Sequence, residues 1–505
     1  MKNTLYILLF FLIGLQVNAQ LPEDALRMGW NVPSGTARNQ AIGGAGGSLG
    51  GEITSLFINP AGLGFYKTSE LVFTPGFSLA KSNSNYRETS ASSDNQTRFN
   101  LGTTGFVGGT IDRGSKWSSK SFAIGVNRVA NFNSTVYYKG NNNLSSFSEQ
   151  FAEEFAASGI DISNFENSDL SYGTKLALYT YLIDTMTING TKQIVGLPEF
   201  ADAVNQENKI STRGGITEVA IGFASNMDDR LYIGGSIGLP IVNYNRTTEF
   251  METDAGNDAN NNFKSAQYKE EFSSKGIGVN AKLGLIFKPV ASWRVGLAIH
   301  TPSLYGMKDK LSAQMTTDLD HYLGKNYPIE GHSDAPAQYR YNLTSPWKFL
   351  VSGSYVFHEV ADVRQQKGFI TADIEYVTYG GSRFGSSDDY DDDSFFDDLN
   401  KVVKSQYKGA FNVRVGGELK FNTVMGRLGF AWYGNPYEDA ELKANKMNVS
   451  GGLGYRHKGV FLDLTYVQSL GKDVNFPYRL SDKPNTFADI KDRSGSVILT
   501  VGFKL

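Results

Sequence analysis

The sequence lacks cysteine, long apolar segments and a strong net charge, and each absence excludes a class of protein. With no cysteine in 505 residues, disulfides, thiol catalysis and cysteine metal sites are excluded. After the first residues no run of about 18 apolar residues occurs, which excludes a helical inner-membrane protein. The net charge of −3 gives no reason to expect a nucleic-acid partner.

Recognisable cofactor and catalytic patterns are also missing. The five histidines are scattered without metal-ligand spacing, so the sequence predicts neither a metal site nor a haem. The acidic run at 388–393 lacks the spaced ligands of a calcium loop, and we interpret it as a solvated loop tip. The glycines at 43–51 carry no Gly-Lys-Ser/Thr and so form no phosphate loop. We therefore expect no cofactor, no metal and no enzymatic activity.

The N-terminus has the pattern of a secretory signal peptide. Lys2 supplies the charge, Leu5 to Leu15 supply a short apolar stretch, and Val17-Asn18-Ala19 form a small-residue cleavage site. We expect residues 1–19 to be removed. No cysteine follows the cleavage site, so the protein is not expected to be a lipoprotein.

The remaining chain alternates apolar and polar residues over segments of about ten residues, as membrane barrel strands do. In 277–287, for example, Ile277, Val279 and Leu283 share one face, while Asn280 and Lys282 share the other. Charges fall on the face opposite the apolar one, where a lipid-facing charge would cost roughly 2–4 kcal/mol at mid-bilayer. Glycines and charges occur together on that second face, which is rare in a soluble sandwich. The pattern predicts an all-β transmembrane antiparallel barrel.

Connection lengths support the same architecture. About fourteen strands are predicted, an even number as single-chain bacterial barrels require. Short turns such as 227–230, 289–292 and 457–458 interleave with long connections. That asymmetry is typical of periplasmic turns and extracellular loops, and it predicts that both termini are periplasmic. The predicted long loops are 82–96, 134–213, 244–271, 302–346, 380–410, 434–446 and 469–495.

One stretch before the first strand, Ala37 to Pro75, is too rich in glycine to be a helix and too apolar to be a linker. At its centre Asn59, Pro60, Ala61 and Gly62 predict a rigid elbow, because proline fixes its own φ and restricts the residue before it. We interpret the stretch as a plug inside the barrel. The alternative is a tight turn that merely precedes a strand.

This stretch, GGAGGSLGGEITSLFINPAGLGFY, resembles the N-terminal hatch of the FadL/OmpP1-like outer-membrane long-chain fatty acid transporter family, and its form is similar to Bacteroidetes homologues. The family's hatch carries an Asn-Pro-Ala motif that matches Asn59, Pro60 and Ala61. The segments AIHTPSLY at 298–305 and ADIEYVTY at 372–379 also look familiar. The resemblance implies a signal peptide (1–19), a hatch (20–69) and a 14-stranded outer-membrane barrel (70–505), and it assigns gating to the hatch.

The resemblance also implies a lateral exit for the ligand at a kink in the third strand. In this sequence Phe122, Ile124 and Val126 set a lipid-facing phase that Arg128 breaks. Either Arg128 extends to the outer headgroups, or a bulge re-aims the strand at that point, in which case the bulge would be the exit.

Candidate ligand-binding residues lie in the lumen and in the longest loop. The lumenal cations Lys282, Arg294 and Arg414 could hold a ligand carboxylate, although a salt-bridge ladder between wall and plug explains them as well. The loop at 134–213 contains two helix-like pieces, Ser148 to Ala157 and Thr174 to Met186. Their apolar residues could line a groove or could pack the loop onto its neighbours. The residues concerned are Phe151, Phe155, Leu178 and Leu182.

Three functions remain open at this point. The first is a channel for passive uptake of long-chain fatty acids or other hydrophobic small molecules, in contact with lipid bilayer and lipopolysaccharide and gated by the hatch. The second is a non-transporting barrel that serves as an accessory subunit of an outer-membrane secretion or assembly complex, with other outer-membrane proteins as partners. The third, a lipid-modifying enzyme, lacks a Ser/His pair at readable spacing.

Overall fold

The computed structural model describes residues 22–112, 114–256, 258, 260–325, 327–333, 335–358, 366–387, 394–442 and 444–505. The expected signal peptide, residues 1–19, and the acidic run at 388–393 lie outside the described residues. Within the described ranges, no helix is long and apolar enough to cross a membrane.

Fourteen antiparallel strands form one closed barrel, which confirms the predicted fold class. Several strands consist of two segments in line. Their bounds are Glu70–Phe73 and Pro75–Tyr86 (β1), Gln96–Leu101 and Thr104–Ile111 (β2), Trp117–Asn131 and Ser134–Asn142 (β3), Val204–Met227 (β4), Leu231–Asp254 (β5), Ser265–Phe287 (β6), Trp293–His300 and Leu304–Asp318 (β7), Ala337–Thr344 and Lys348–Phe357 (β8), Gly368–Thr378 and Arg383–Ser386 (β9), Gly409–Phe421 (β10), Val424–Tyr433 (β11), Asn445–His457 (β12), Val460–Asn475 (β13) and Ala488–Lys504 (β14).

The barrel closes where the first strand meets the last. Glu70 of β1 lies opposite Lys504 of β14, and the pairing continues to Asn85 opposite Asp489. Two short strands extend the sheet: Thr89–Ser92 pairs with β1, and Ile329–His332 pairs with β7. Because every neighbour is antiparallel, one end of the barrel carries the tight turns and the other carries the long connections.

The outward-facing side chains form an apolar band around the barrel. In β6 Ile277 and Leu283 are 58% and 63% exposed, whereas Lys282 between them is 5% exposed and faces the lumen. In β11 Leu428 is likewise exposed and Arg427 is buried. The predicted alternation is therefore confirmed, and a band of this kind matches the hydrocarbon core of a bilayer.

At the long-loop end the strands continue well past the band. β4, β5 and β6 are 24, 24 and 23 residues long, so much of the predicted loops at 134–213 and 244–271 is strand, and those loop boundaries are wrong. Beyond the band neither face meets lipid, and the alternation of hydrophobicity disappears. Gln206 and Asn208, for instance, are buried polar residues of β4.

The longest connection carries two helices and a hairpin. Helix Glu149–Ser158 agrees with the first predicted helical piece. The second helix, Tyr172–Tyr179, ends earlier than predicted, because Tyr181 takes a positive φ of 57° and the chain then enters a strand. Ile183–Ile188 pairs with Thr191–Gly196 as a separate two-stranded sheet. Four of the six residues from Ile183 to Ile188 are β-branched, which favours a strand over the helix that was predicted.

The N-terminal region folds inside the barrel as a plug, which here means residues 22–69. Its glycines exclude one long helix, and instead short helical elements alternate with turns at Gly43, Gly44, Gly50 and Gly51, all at positive φ. Thr36 caps one of these elements by accepting a hydrogen bond from the Asn39 N–H (3.2 Å). The helical elements are Pro22–Gly29 (α1), Ala37–Ala41 (α2), Ser55–Ile58 (α3) and a 3-10 helix at Pro60–Phe65.

Candidate functional site

Wall glycines make room for the plug. A Cβ added at Gly429 would lie 2.1 Å from the backbone nitrogen of Gly43, and one at Gly296 would lie 2.4 Å from the carbonyl oxygen of Gly47. These glycines face the lumen, which explains why glycines and charges share the second face of the strands. Further wall glycines in contact with the plug are Gly125, Gly222, Gly234, Gly284, Gly416 and Gly452.

Asn59 joins two turns of the plug to the wall. Its Nδ2 donates to the carbonyl oxygens of Gly47 (2.6 Å) and Leu285 (3.3 Å), and its Oδ1 accepts from the Ala61 N–H (3.2 Å). A Cβ at Gly284 would come within 1.8 Å of Oδ1, so only glycine fits opposite this amide. Asn59 is 1% exposed. All four predicted hatch residues therefore lie in a tightly packed elbow against the wall.

Pro60, Ala61 and Gly62 complete this elbow. Pro60 and Ala61 lie against Gly234 of β5, where an added Cβ would be 2.5 Å from the Pro60 carbonyl. The Gly62 N–H donates to the Asn59 carbonyl (2.9 Å), and the Gly62 carbonyl accepts from the Gly51 N–H (2.9 Å). The elbow is hydrogen-bonded from both sides.

The three lumenal cations that were candidate ligand-binding residues contact carboxylates or the plug. Lys282 pairs with Glu218 and donates to the Asn280 Oδ1 (2.8 Å). Arg294 donates to the Leu49 carbonyl of the plug (2.5 Å). Arg414 lies 3.8 Å from the carboxylate of Asp373 and 3.6 Å from that of Glu375. Each arrangement ties strand to strand or wall to plug.

The sequence did not single out a further cluster of this kind, which is centred on Arg427. This guanidinium donates to Glu418 and Asp463, both at 2.6 Å, and is fully buried. Arg38 of the plug lies 3.6 Å from Glu418 and so joins the plug to the cluster. Only the fold brings Arg38 to this wall, and single charged residues hundreds of positions apart give no spacing signal.

The four loop residues that were candidates for a ligand groove lie in a closed apolar cluster. Phe151, Phe155, Leu178 and Leu182 are 6%, 7%, 6% and 1% exposed. They pack with side chains of the strand extensions, among them Phe250 and Met315. Within this cluster they join the loop to the barrel.

A gap interrupts the barrel wall between β2 and β3. Thr104–Ile111 pairs with β3, but in the described part of the chain no backbone pairing joins Gln96–Leu101 to it. At the gap lies a cavity of about 230 Å³. We call this gap the window. The cavity is lined by Phe99, Asn100, Leu101, Val126, Arg128, Asn131, Asn133 and Thr217.

β3 is irregular at this position. Thr217 of β4 pairs with Arg128, but the next residue, Ile216, pairs with Ala130, so one residue of β3 is bulged. The Arg128 guanidinium donates to the Thr217 Oγ1 (3.1 Å) and the Gly214 carbonyl (2.5 Å). The bulge therefore lies next to Arg128, where one of the two interpretations of the sequence placed it.

Plug residues Pro33–Thr36 cover the window from inside, and we call them the crossing segment. The Ser34 N–H donates to the Arg128 carbonyl (2.9 Å), and the Asn127 Nδ2 donates to the Ser34 carbonyl (3.0 Å). Asn127 Oδ1 also accepts from Thr103 of the β2 side (3.1 Å). The crossing segment thus provides β3 with a backbone partner at the gap. Sequence reasoning missed Ser34 and Asn127, since isolated polar residues carry no motif.

Comparisons with known proteins relate this architecture to known structures. No protein-family model and no curated protein matches the sequence. Among solved structures, a FadL homologue from Pseudomonas aeruginosa is similar at 11% identity over 94% of this chain and 99% of that chain, with a TM-score of 0.56. The toluene transporter TodX of P. putida is similar at 13% identity over 95% and 99%, with a TM-score of 0.51.

The toluene transporter TbuX of Ralstonia pickettii is similar at 15% identity over 94% of this chain and 99% of that chain, with a TM-score of 0.50. At such low sequence identities the comparison supports the architecture alone, which is a 14-stranded barrel with an N-terminal plug. The similarity extends over nearly the whole length of both chains. This chain therefore has the FadL-like fold, a 14-stranded barrel with a plug formed by its N-terminal region.

Proposed function

We propose that this protein is an outer-membrane channel for passive uptake of hydrophobic small molecules, long-chain fatty acids among them. The ligand enters at the long-loop end, which faces outward, and leaves through the window into the bilayer. Both termini then face the periplasm. The crossing segment and the Asn59 elbow are the parts of the plug that gate this exit.

The observation that carries the proposal is the window itself. A closed barrel satisfies every backbone group by pairing, so an unpaired stretch at membrane level needs another partner. Here that partner is a plug segment that can move without breaking a strand. Hydrogen bonds from Ser34 to Arg128 and from Asn127 to Ser34 close the path, and their rupture opens it.

An apolar cluster beside the window supports a hydrophobic ligand. Wall residues Phe132, Tyr244 and Met307 pack with Leu26 and Met28 of α1. Phe132 follows the bulge on β3, so the cluster adjoins the window. If α1 withdraws, it leaves an aromatic-lined space of the kind that apolar ligands occupy. The similar fold of the toluene transporters TodX and TbuX supports the same ligand class.

Uptake in cells tests the proposal. A Gram-negative host deleted for its own long-chain fatty acid transporter would express this protein, and accumulation of radiolabelled oleate would be measured against an unrelated barrel at equal abundance. We expect accumulation well above that control. Accumulation equal to the control, together with a stoichiometric protein complex on gentle purification, would contradict transport and favour the accessory-subunit function.

A further inference from the structure

Several basic side chains in the lumen have carboxylate partners, whereas Arg128 at the window has none among the described residues. Lys282, Arg414 and Arg427 are each 5% exposed or less and each lie beside carboxylates. Arg128 is half-buried, and among the residues that the structure describes no carboxylate lies within salt-bridge distance of it. Its guanidinium donates hydrogen bonds to two neutral oxygens, so its charge is uncompensated.

Arg128 lies at the upper edge of the apolar band. It shares a row across the wall with Thr217, Ile241 and Ile277. In that row Ile241 and Ile277 are exposed and apolar, and the next outward position on β6, Lys275, is charged. A bilayer places its headgroups at this level, and arginine is commonly found there because its stem can lie along apolar surface while its head reaches polar groups.

The cavity beside Arg128 has two kinds of lining. Phe99, Leu101 and Val126 are apolar, whereas Asn100 and Asn131 offer amide donors. Its volume of about 230 Å³ far exceeds the ~10–15 Å³ that one water molecule needs. A guanidinium with amide neighbours above apolar side chains suits a ligand with an anionic head and an apolar tail, since guanidinium binds carboxylate with charge-assisted hydrogen bonds.

We propose that Arg128 is a selectivity residue at the window, which binds the carboxylate of a single-chain amphipath while its tail enters the bilayer. This rests on the proposed function and narrows its ligand class to anionic amphipaths in preference to neutral hydrocarbons. The uncompensated guanidinium stabilises the carboxylate head at headgroup level, and the Asn100 and Asn131 amides complete its coordination.

Equilibrium dialysis tests the assignment with protein in nanodiscs of phosphatidylcholine at pH 8. The probes are laurate and dodecanol, which share a chain length and differ in charge. For Arg128→Gln we expect laurate to bind about tenfold more weakly and dodecanol to change less than twofold. Arg128→Lys keeps the charge without the forked geometry, and its laurate affinity should lie between those of wild type and Arg128→Gln. Arg213→Gln, an exposed arginine of β4, is the matched control and should bind like wild type.

Other outcomes would overturn the assignment. Equal weakening of both probes would mean that Arg128 only shapes the bulge, and unchanged laurate binding would exclude a head-group role. If Arg128→Gln instead lost tightly bound phosphatidylglycerol in native mass spectrometry and kept its laurate affinity, the anion bound there would be a membrane lipid. Because dialysis measures binding alone, a failure of oleate uptake in cells would refute transport without deciding the role of Arg128. Heat-modifiable gel mobility checks that each variant is folded.

Discussion

The plug contacts the barrel wall in two different ways, one of which holds the plug in place while the other is where we propose that the ligand leaves. Over most of its contact surface, wall glycines admit the plug backbone and buried charges are compensated, as around Asn59 and Arg427. At the window the crossing segment contacts the wall through a few hydrogen bonds, and the neighbouring cation has neutral partners. In the first region the contacts hold the plug in place. At the window the hydrogen-bond partners can be exchanged at low cost, because other polar groups or a ligand can replace the partners that are lost.

The largest effect should come from breaking a compensated charge. Lys282→Met leaves the buried Glu218 carboxylate without its partner, and we expect a loss of about 3–5 kcal/mol in unfolding free energy. Urea unfolding in lipid bilayers measures it. Lys275→Met, on the exposed face of the same strand, should change stability little. A double variant, Glu218→Leu with Lys282→Met, should recover much of the loss, and failure to recover would argue against pairing as the cause.

A somewhat smaller effect should follow from filling the space reserved for the plug. Gly429→Ala places a methyl group 2.1 Å from the Gly43 nitrogen, so backbone must shift, at about 3 kcal/mol. Gly426→Ala is the matched control on the same strand, where an added Cβ meets nothing within 4 Å. Thermal unfolding of the two variants compares them. Equal midpoints would show that the plug does not pack against β11.

The elbow itself can be loosened by a substitution in the plug alone. Asn59→Ala removes two donated bonds and the cap on the Ala61 N–H, and we expect a local loss of about 2–3 kcal/mol. Hydrogen exchange should speed up at Ala61 and Gly62 while the barrel strands stay protected. The exposed Asn243→Ala in β5 serves as the control. Unchanged exchange at Ala61 would remove Asn59 from the gating proposal.

The smallest effect on stability is expected at the window. Arg128→Gln loses two hydrogen bonds to neutral oxygens at a half-exposed site, at about 1 kcal/mol. The same urea experiment measures this loss beside that of Lys282→Met. If the two variants lost equal stability, the distinction between a compensated interface and an uncompensated window would fail.

The sequence predicted the barrel and the plug because both rest on local patterns. Alternation marks strands wherever one face meets lipid, and the Asn59-Pro60 elbow is a contiguous motif. The prediction of strand boundaries failed where the strands leave the apolar band. Gln206 and the buried Glu252 lie in strand extensions above the apolar band, where polar networks replace the apolar face and strands read as loops. Of the residues at the window, the sequence analysis identified only Arg128. It missed the contact between Ser34 and Asn127, because these two residues lie 93 positions apart in the sequence.

Locking the crossing segment to the wall tests the central claim most directly. The chain has no cysteine, so Ser34→Cys with Asn127→Cys introduces a single possible disulfide where the two side chains already meet at 3.3 Å. We predict that the oxidised double variant loses oleate uptake, that reduction restores it, and that each single variant transports throughout. Uptake at the wild-type rate by the fully oxidised protein would contradict exit through the window.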